Sequence, residues 1–134
     1  MNAFKSEKIP KETEILFVYL NVNSGPGVIG LPRNEIVFKD ELIGALSGLA
    51  FKQIILYFDG PYAASFLKHG LPQNTYAVSA AGEFEMSWGT QCTPDEIVKG
   101  EHIKTCMSDL FSHFFIEQLK MEGVENLTLQ QSFE

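Results

Sequence analysis

Two runs of β-forming residues constrain this chain more than any other feature. Ile15-Leu16-Phe17-Val18-Tyr19-Leu20 is continuously apolar, and a run of that kind reads as a strand buried on both faces, as in a parallel sheet. Gln53-Ile54-Ile55-Leu56-Tyr57-Phe58 is a second such strand. Between them, residues 40–50 place Leu42, Ile43, Ala45, Leu46 and Leu49 at helical spacing. Parallel neighbours need a crossover of this length, and a helix supplies it.

The pattern continues. Asp59-Gly60-Pro61 breaks the second strand, Tyr62–His69 reads as a short helix closed by Gly70, and Thr75–Ser79 is a third strand. A polar loop extends to about Lys104. Ser108 is then expected to cap a helix through Lys120, with Leu110, Phe111, Phe114, Phe115 and Leu119 inward. Phe66, Leu67 and Trp88 are expected in the same apolar cover, and Thr128–Glu134 in one more helical turn. Alternating strands and helices predict an α/β fold of three layers with right-handed crossovers. Function in such sheets sits beyond the carboxyl ends of the strands. Asn21 to Pro32 reads as a glycine- and proline-rich loop, and the strand ends are Asn21–Gly27, Asp59–Ser65 and Ser79–Trp88.

A chain of 134 residues has the length of one domain and can bury a core without metals or disulfides. Residues 1–14 read as a lead-in and 15–134 as the domain. The net charge of −7 and the absence of basic runs argue against nucleic acid and anionic membranes. No signal-peptide pattern opens the sequence, which implies a cytoplasmic, soluble protein with Cys92 and Cys106 as free thiols. His69, His102 and His113 lack ligand spacing, so neither a metal nor a cofactor is expected. Asn126-Leu127-Thr128 has the pattern of a glycosylation sequon, relevant only to a secreted chain.

The loops carry a resemblance. Asn74–Ala81, then Glu85-Met86-Ser87-Trp88-Gly89-Thr90-Gln91-Cys92, resemble a strand followed by the Ser-Ser-Trp-Gly-Thr loop of the legumains. These are asparaginyl endopeptidases, cysteine peptidases of caspase-like fold. Thr105–Ser112 is similar to the family's Cys-Leu-Gly-Asp-Leu-Tyr-Ser. Pro26-Gly27-Val28-Ile29-Gly30-Leu31-Pro32 resembles the stretch after its catalytic histidine, and Thr128-Leu129-Gln130-Gln131 its Thr-Leu-His-Gln. The resemblance spans residues 15–134 and implies a partial caspase-like fold.

The catalytic residues do not follow. Where the family has Thr-Asp-His-Gly, this chain has Asn21-Val22-Asn23-Ser24, and Asn23 cannot act as general base. Where the family has Glu-Ala-Cys, it has Asp59-Gly60-Pro61. Pro61 offers neither a nucleophile nor the backbone N–H that helps hold an oxyanion. The resemblance makes Asp59, Met86, Ser87 and Asp109 remnants of the substrate pocket. It also marks Cys92 and Cys106 as a possible disulfide, like a pair flanking this loop in plant vacuolar legumains. Family members are usually vacuolar or lysosomal.

The expected function is therefore a catalytically inactive, legumain-like pseudopeptidase acting as a binding or scaffold subunit. Two alternatives stand beside it: part of an asparaginyl-type endopeptidase completed by another chain, and a truncated gene copy without selected activity. The family's strand order places a strand beside Ile15–Leu20 that this sequence does not contain. A protein partner or a second copy is expected on that edge.

Overall fold

The computed structural model describes residues 13–123 and 128–131. It divides into two compact units, Met1–Met86 and Ser87–Glu134.

The first unit is built on three parallel strands. β1 (Ile15–Asn21) is followed by a short antiparallel meander of β2 (Asn23–Gly25), β3 (Val28–Gly30) and β4 (Ile36–Phe38). Then come helix α1 (Lys39–Ser47), strand β5 (Gln53–Asp59), the single-turn helix α2 (Ala64–Leu67) and strand β6 (Thr75–Ser79). The sheet order is β1-β5-β6, all parallel, with Ile15 opposite Gln53 and Asn21 opposite Asp59. This is the α/β architecture expected from the sequence, a parallel sheet flanked by helices.

The core lies on one face of that sheet. Alternation along β5 sends Ile54, Leu56 and Phe58 to the same side, and all three are fully buried. Leu42 and Leu46 of α1, Phe66 of α2 and Ile29 of β3 close over them, and the Phe66 ring stacks on Phe58 at 4.5 Å. Each such side chain contributes about 1.5–3 kcal/mol on burial. Helix α1 starts cleanly because Glu41 accepts a 2.8 Å hydrogen bond from the Phe38 N–H, and Asp40 and Glu41 complement the helix dipole.

Three expectations for this unit need correction. The stretch after Asn21 is not an irregular loop. Pro26 and Gly27 form a corner, with Gly27 at φ 72°, that turns β2 back onto β3. The helix expected over Tyr62–His69 is regular only at Ala64–Leu67, because Tyr62 sits at φ 55° and cannot be part of it. Strand β1 is also not buried on both faces: Ile15 is 56% and Phe17 51% exposed. It is the outer strand of the sheet, with β5 as its one neighbour among the described residues.

The second unit comprises β7 (Gly89–Thr90), β8 (Ile97–Val98), β9 (Glu101–His102), β10 (Ser108–Asp109) and helix α3 (Leu110–Glu122). Strands β8 and β9 form a hairpin through Lys99 and Gly100, both at positive φ as a type I′ turn requires. Strand β10 pairs antiparallel with β7. Cys92 and Cys106 are joined in a disulfide, which corrects the expectation of free thiols. The two strands bring the ends of the intervening loop together, a proximity that composition and compartment cannot reveal.

Helix α3 also departs from expectation. Ser108 is spent in the β10 ladder, so Asp109 becomes the N-cap and makes no side-chain capping bond. Phe114 is 64% exposed, and Leu110 is also exposed, whereas Phe111, Phe115 and Leu119 are part-buried. Residues 111, 115 and 119 form one i, i+4 stripe and 110 and 114 the next. Periodicity alone does not say which of two adjacent apolar stripes faces inward. Trp88 lies outside any apolar cover, at 71% exposure. Of the expected C-terminal turn, Thr128–Gln131 is described. There Gln131 Oε1 accepts from the Thr128 N–H, and Thr128 Oγ1 from the Gln131 N–H, the reciprocal bonds of a capping box. Asn126 of the sequon lies outside the described residues.

Candidate functional site

Parallel pairing brings the carboxyl ends of β1 and β5 side by side, and the Val22 N–H donates to the Asp59 carbonyl at 2.9 Å. The loops leaving these ends are the two that carry Asn23 and Pro61. Strand β2 then alternates its side chains: Asn23 is exposed, while Ser24 is buried. Ser24, not Asn23, therefore faces the second loop. Its hydroxyl donates a 2.6 Å hydrogen bond to the Pro61 carbonyl.

Gly60 lets this happen. A Cβ at that position would fall 2.4 Å from the Val22 carbonyl oxygen and 2.9 Å from Ser24 Oγ, closer than side-chain carbons approach any neighbour. Beyond Pro61, the Tyr62 N–H donates to the Glu85 carbonyl at 2.7 Å and the Ala64 N–H to the Ala81 carbonyl at 3.0 Å. Ser65 Oγ accepts from the Gly27 N–H, and Lys39 Nζ donates to the Ser65 carbonyl. The two loops are thus stitched to each other, to the meander and to the segment after β6.

Asp59 is fully buried at the end of β5. Its Oδ2 accepts hydrogen bonds from the Tyr19 hydroxyl and the Asn21 amide, each at 3.1 Å. Tyr19 and Asn21 alternate along β1 onto the face that carries Asp59, and Asn21 is its register partner. The carboxyl group is held by side chains of its own sheet.

The remaining pocket positions divide between the units. Met86 ends the first unit and is 54% exposed. Ser87 and Asp109 belong to the second, where β7–β10 pairing sets Asp109 opposite Gly89 and the Leu110 N–H bonds the Trp88 carbonyl at 2.8 Å. Gly89 runs against the disulfide: a Cβ there would meet Cys106 Cβ and Sγ at 2.8 Å.

The decisive chemical fact is the state of sulfur. The chain has two cysteines, and both are in the disulfide. No thiol is left to serve as a nucleophile. Asn23 and Pro61 stand in adjoining loops at the strand ends, and neither supplies acid–base or nucleophilic chemistry.

A model of the peptidase C13 family matches residues 6–134. The chain belongs to this family. Among similar proteins, the vacuolar-processing enzyme of Citrus sinensis is 31% identical over 128 residues, covering 89% of this chain and 25% of the relative. That of Vicia sativa is 30% identical over 125 residues, with 88% and 25% covered. The legumain of Canavalia ensiformis is 27% identical over 126 residues, with 89% and 26% covered. The chain spans about a quarter of the length of these curated relatives.

Within the C13 frame, the residues that sequence reasoning missed become legible. Ser24 and Gly60 are two of them: the hydroxyl of one bonds the loop of the other, and a Cβ at residue 60 would meet Ser24 Oγ. Tyr19 and Asn21 were hidden in the strand, because a run of β-formers does not announce which member will hold a buried acid. A further buried acid, Glu96, lies in the disulfide loop. Its Oε1 accepts from the Thr93 hydroxyl at 2.9 Å and lies 3.4 Å from His102 Nδ1. Among the described residues, no group of three or more His, Cys, Asp or Glu side chains is placed to hold a metal. No described helix is long and apolar enough to cross a membrane.

Proposed function

We propose that this C13-family chain is a pseudopeptidase: it keeps the fold of its relatives, performs no peptide hydrolysis, and works as a binding or scaffold subunit. The single observation that carries the reading is the sulfur inventory. With Pro61 at the nucleophile position and both cysteines in a disulfide, the chain has no thiolate to attack a peptide carbonyl. Asn23 at the base position and the missing N–H of Pro61 remove proton transfer and one oxyanion donor, the latter alone worth about 100- to 1000-fold in rate.

The pocket remnants support the same reading. Asp59, aligned with the family's pocket acid, is engaged by Tyr19 and Asn21. Met86 replaces a hydroxyl by a thioether.

The test is incubation of the purified chain with a fluorogenic peptide cleaved after Asn. No turnover is expected. Hydrolysis abolished by iodoacetamide, and copurifying with the chain through successive columns, overturns the proposal in favour of a peptidase. Activity that appears only with a second polypeptide favours instead an endopeptidase completed in trans, with that polypeptide supplying both Cys and His.

The disulfide also supports an oxidising compartment for this chain, as for the vacuolar-processing enzymes it resembles. Maleimide labelling of the protein from its native cells checks this: no label before reduction and two after it are expected.

A further inference from the structure

We propose that the Cys92–Cys106 disulfide is a reversible redox latch: it holds residues 92–106 closed with the Glu96 carboxylate buried, and a dithiol reductant of the thioredoxin class opens it.

Little else holds this segment. Glu96 is its one buried residue; Cys92 is half-buried and the rest are exposed, Ile97, Val98 and Ile103 among them. A segment that buries so little apolar surface lacks the main favourable term of folding. Its backbone bonds are local. Strand β8 pairs with β9, the Asp95 N–H donates to the Cys92 carbonyl at 2.7 Å, and the Ile103 N–H donates to the Glu96 carbonyl at 3.1 Å. Hydrogen bonds that water can replace contribute modestly.

The buried residue works against closure. Glu96 Oε1 has two contacts from within the segment, the Thr93 hydroxyl at 2.9 Å and His102 Nδ1 at 3.4 Å. Glu96 Oε2 is buried and has no hydrogen-bond partner among the described residues. Taking a carboxylate oxygen out of water without replacing the water's hydrogen bonds costs free energy. Opening the segment returns that oxygen to water. His102 is exposed already and loses little on release. The closed segment therefore carries a cost that the covalent bond offsets.

The bond is within reach of a reductant. Cys106 is exposed, so an attacking thiolate meets its Sγ before that of half-buried Cys92. Exposed disulfides that close a segment at a cost are more easily reduced than buried structural ones. The thiolate of the dithiol bonds to Cys106 Sγ, the Cys92–Cys106 bond breaks, and Cys92 leaves as a thiolate that takes up a proton. The second thiol of the reductant then gives up its proton and attacks the first. Cys106 leaves in turn and is protonated, and the reductant ends as a disulfide, having supplied two electrons. The first unit contains no cysteine, so its parallel sheet has no covalent bond to lose.

The experiment titrates the full chain with mixtures of reduced and oxidised dithiothreitol, without denaturant. Maleimide labels are counted by mass, and amide exchange is followed in parallel. Two labels per chain are expected on reduction, with an unchanged far-ultraviolet spectrum. Exchange within residues 92–106 and at the flanking β7–β10 pair should rise about tenfold or more, while the amides of β1, β5 and β6 keep their rates. Reoxidation should restore the slow exchange. Glu96→Gln removes the buried charge and keeps the shape, so it should shift the equilibrium toward the disulfide by about tenfold at a given dithiothreitol ratio. Glu101→Gln, an exposed acid on β9, should leave it unchanged. A bond that resists dithiothreitol until urea is added overturns the inference. So does reduction that melts the far-ultraviolet spectrum, or that leaves exchange within 92–106 as it was. A Glu96→Gln chain reduced as easily as wild type, or more easily, removes the buried acid as the load on the latch and overturns it too.

Discussion

Ser24 and Pro61 are joined by a 2.6 Å hydrogen bond from the serine hydroxyl to the proline carbonyl, across the two loops that leave the carboxyl ends of β1 and β5. A buried hydroxyl and a carbonyl deprived of each other lose more than the bond, since the carbonyl remains without its donor. Ser24→Ala should therefore lower stability by about 1–3 kcal/mol. Urea denaturation followed by fluorescence checks it. Ser24→Thr, which keeps the hydroxyl, should recover part of the loss, and a neutral Ser24→Ala would mean that the bond is not maintained in solution.

The disulfide joins Cys92 and Cys106, 14 positions apart in the sequence. Cross-linking a loop of this length removes chain entropy from the unfolded state worth about 3 kcal/mol. Replacing both cysteines by serine should cost about that much. Because Gly89 packs directly against Cys106, hydrogen exchange should speed up first at β7 and β10. Unchanged exchange there would show that the two strands hold the loop without the bond.

Helix α3 supplies a pH prediction with a definite sign. Glu117 sits 2.8 Å from Lys120 Nζ, one turn along the helix. The hydrogen bond and charge of Lys120 hold the Glu117 carboxyl below its ordinary value, with a smaller contribution from His113. A depressed carboxyl stabilises the fold above its unfolded value, and that contribution is lost as pH falls through the folded one. Lys120→Met should move the Glu117 titration upward toward the ordinary carboxylate value, read by carbon-detected NMR between about pH 3 and 6. Both side chains are solvent-accessible, so the effect should shrink at high salt. A titration unmoved by Lys120→Met would remove the pair as its cause.

Much of this was legible in the sequence. The runs at 15–20 and 53–58 and the stretch Thr75–Ser79 became the three parallel strands, because continuous apolar β-formers have few other solutions. What stayed hidden depends on contacts between distant residues. The choice between free thiols and the disulfide that the resemblance allowed needed β7 and β10 to meet. The engagement of Asp59 needed β1 in register with β5. The exposure of Phe114 depended on which of two adjacent stripes was covered. Pattern within a segment reports periodicity, and none of these three is periodic.

The same distinction bears on a test of the proposed inactivity. Asn23→His with Pro61→Cys returns the two functional groups on paper, but asparaginyl cleavage should remain undetectable. Asn23 is exposed on β2, and the neighbouring side chain that reaches the Pro61 loop is Ser24. The loops also pack closely around Gly60. Alone, Gly60→Ala forces its methyl to within 2.4 Å of the Val22 carbonyl oxygen and 2.9 Å of Ser24 Oγ. Overpacking of this sort costs about 1–3 kcal/mol. Gly44→Ala, where nothing lies within 4 Å of the new methyl on helix α1, should instead stabilise by up to about 1 kcal/mol and serves as the control. Ser24→Gly removes one of the two obstacles, so the Ser24→Gly, Gly60→Ala pair should cost less than the sum of its parts. A double-mutant cycle measures that coupling directly. Additive costs would show that the bulk at 24 and the gap at 60 arose independently. Cleavage by the Asn23→His, Pro61→Cys variant without either compensating change would show that the loops relax freely, and that the closure seen here is no barrier to catalysis.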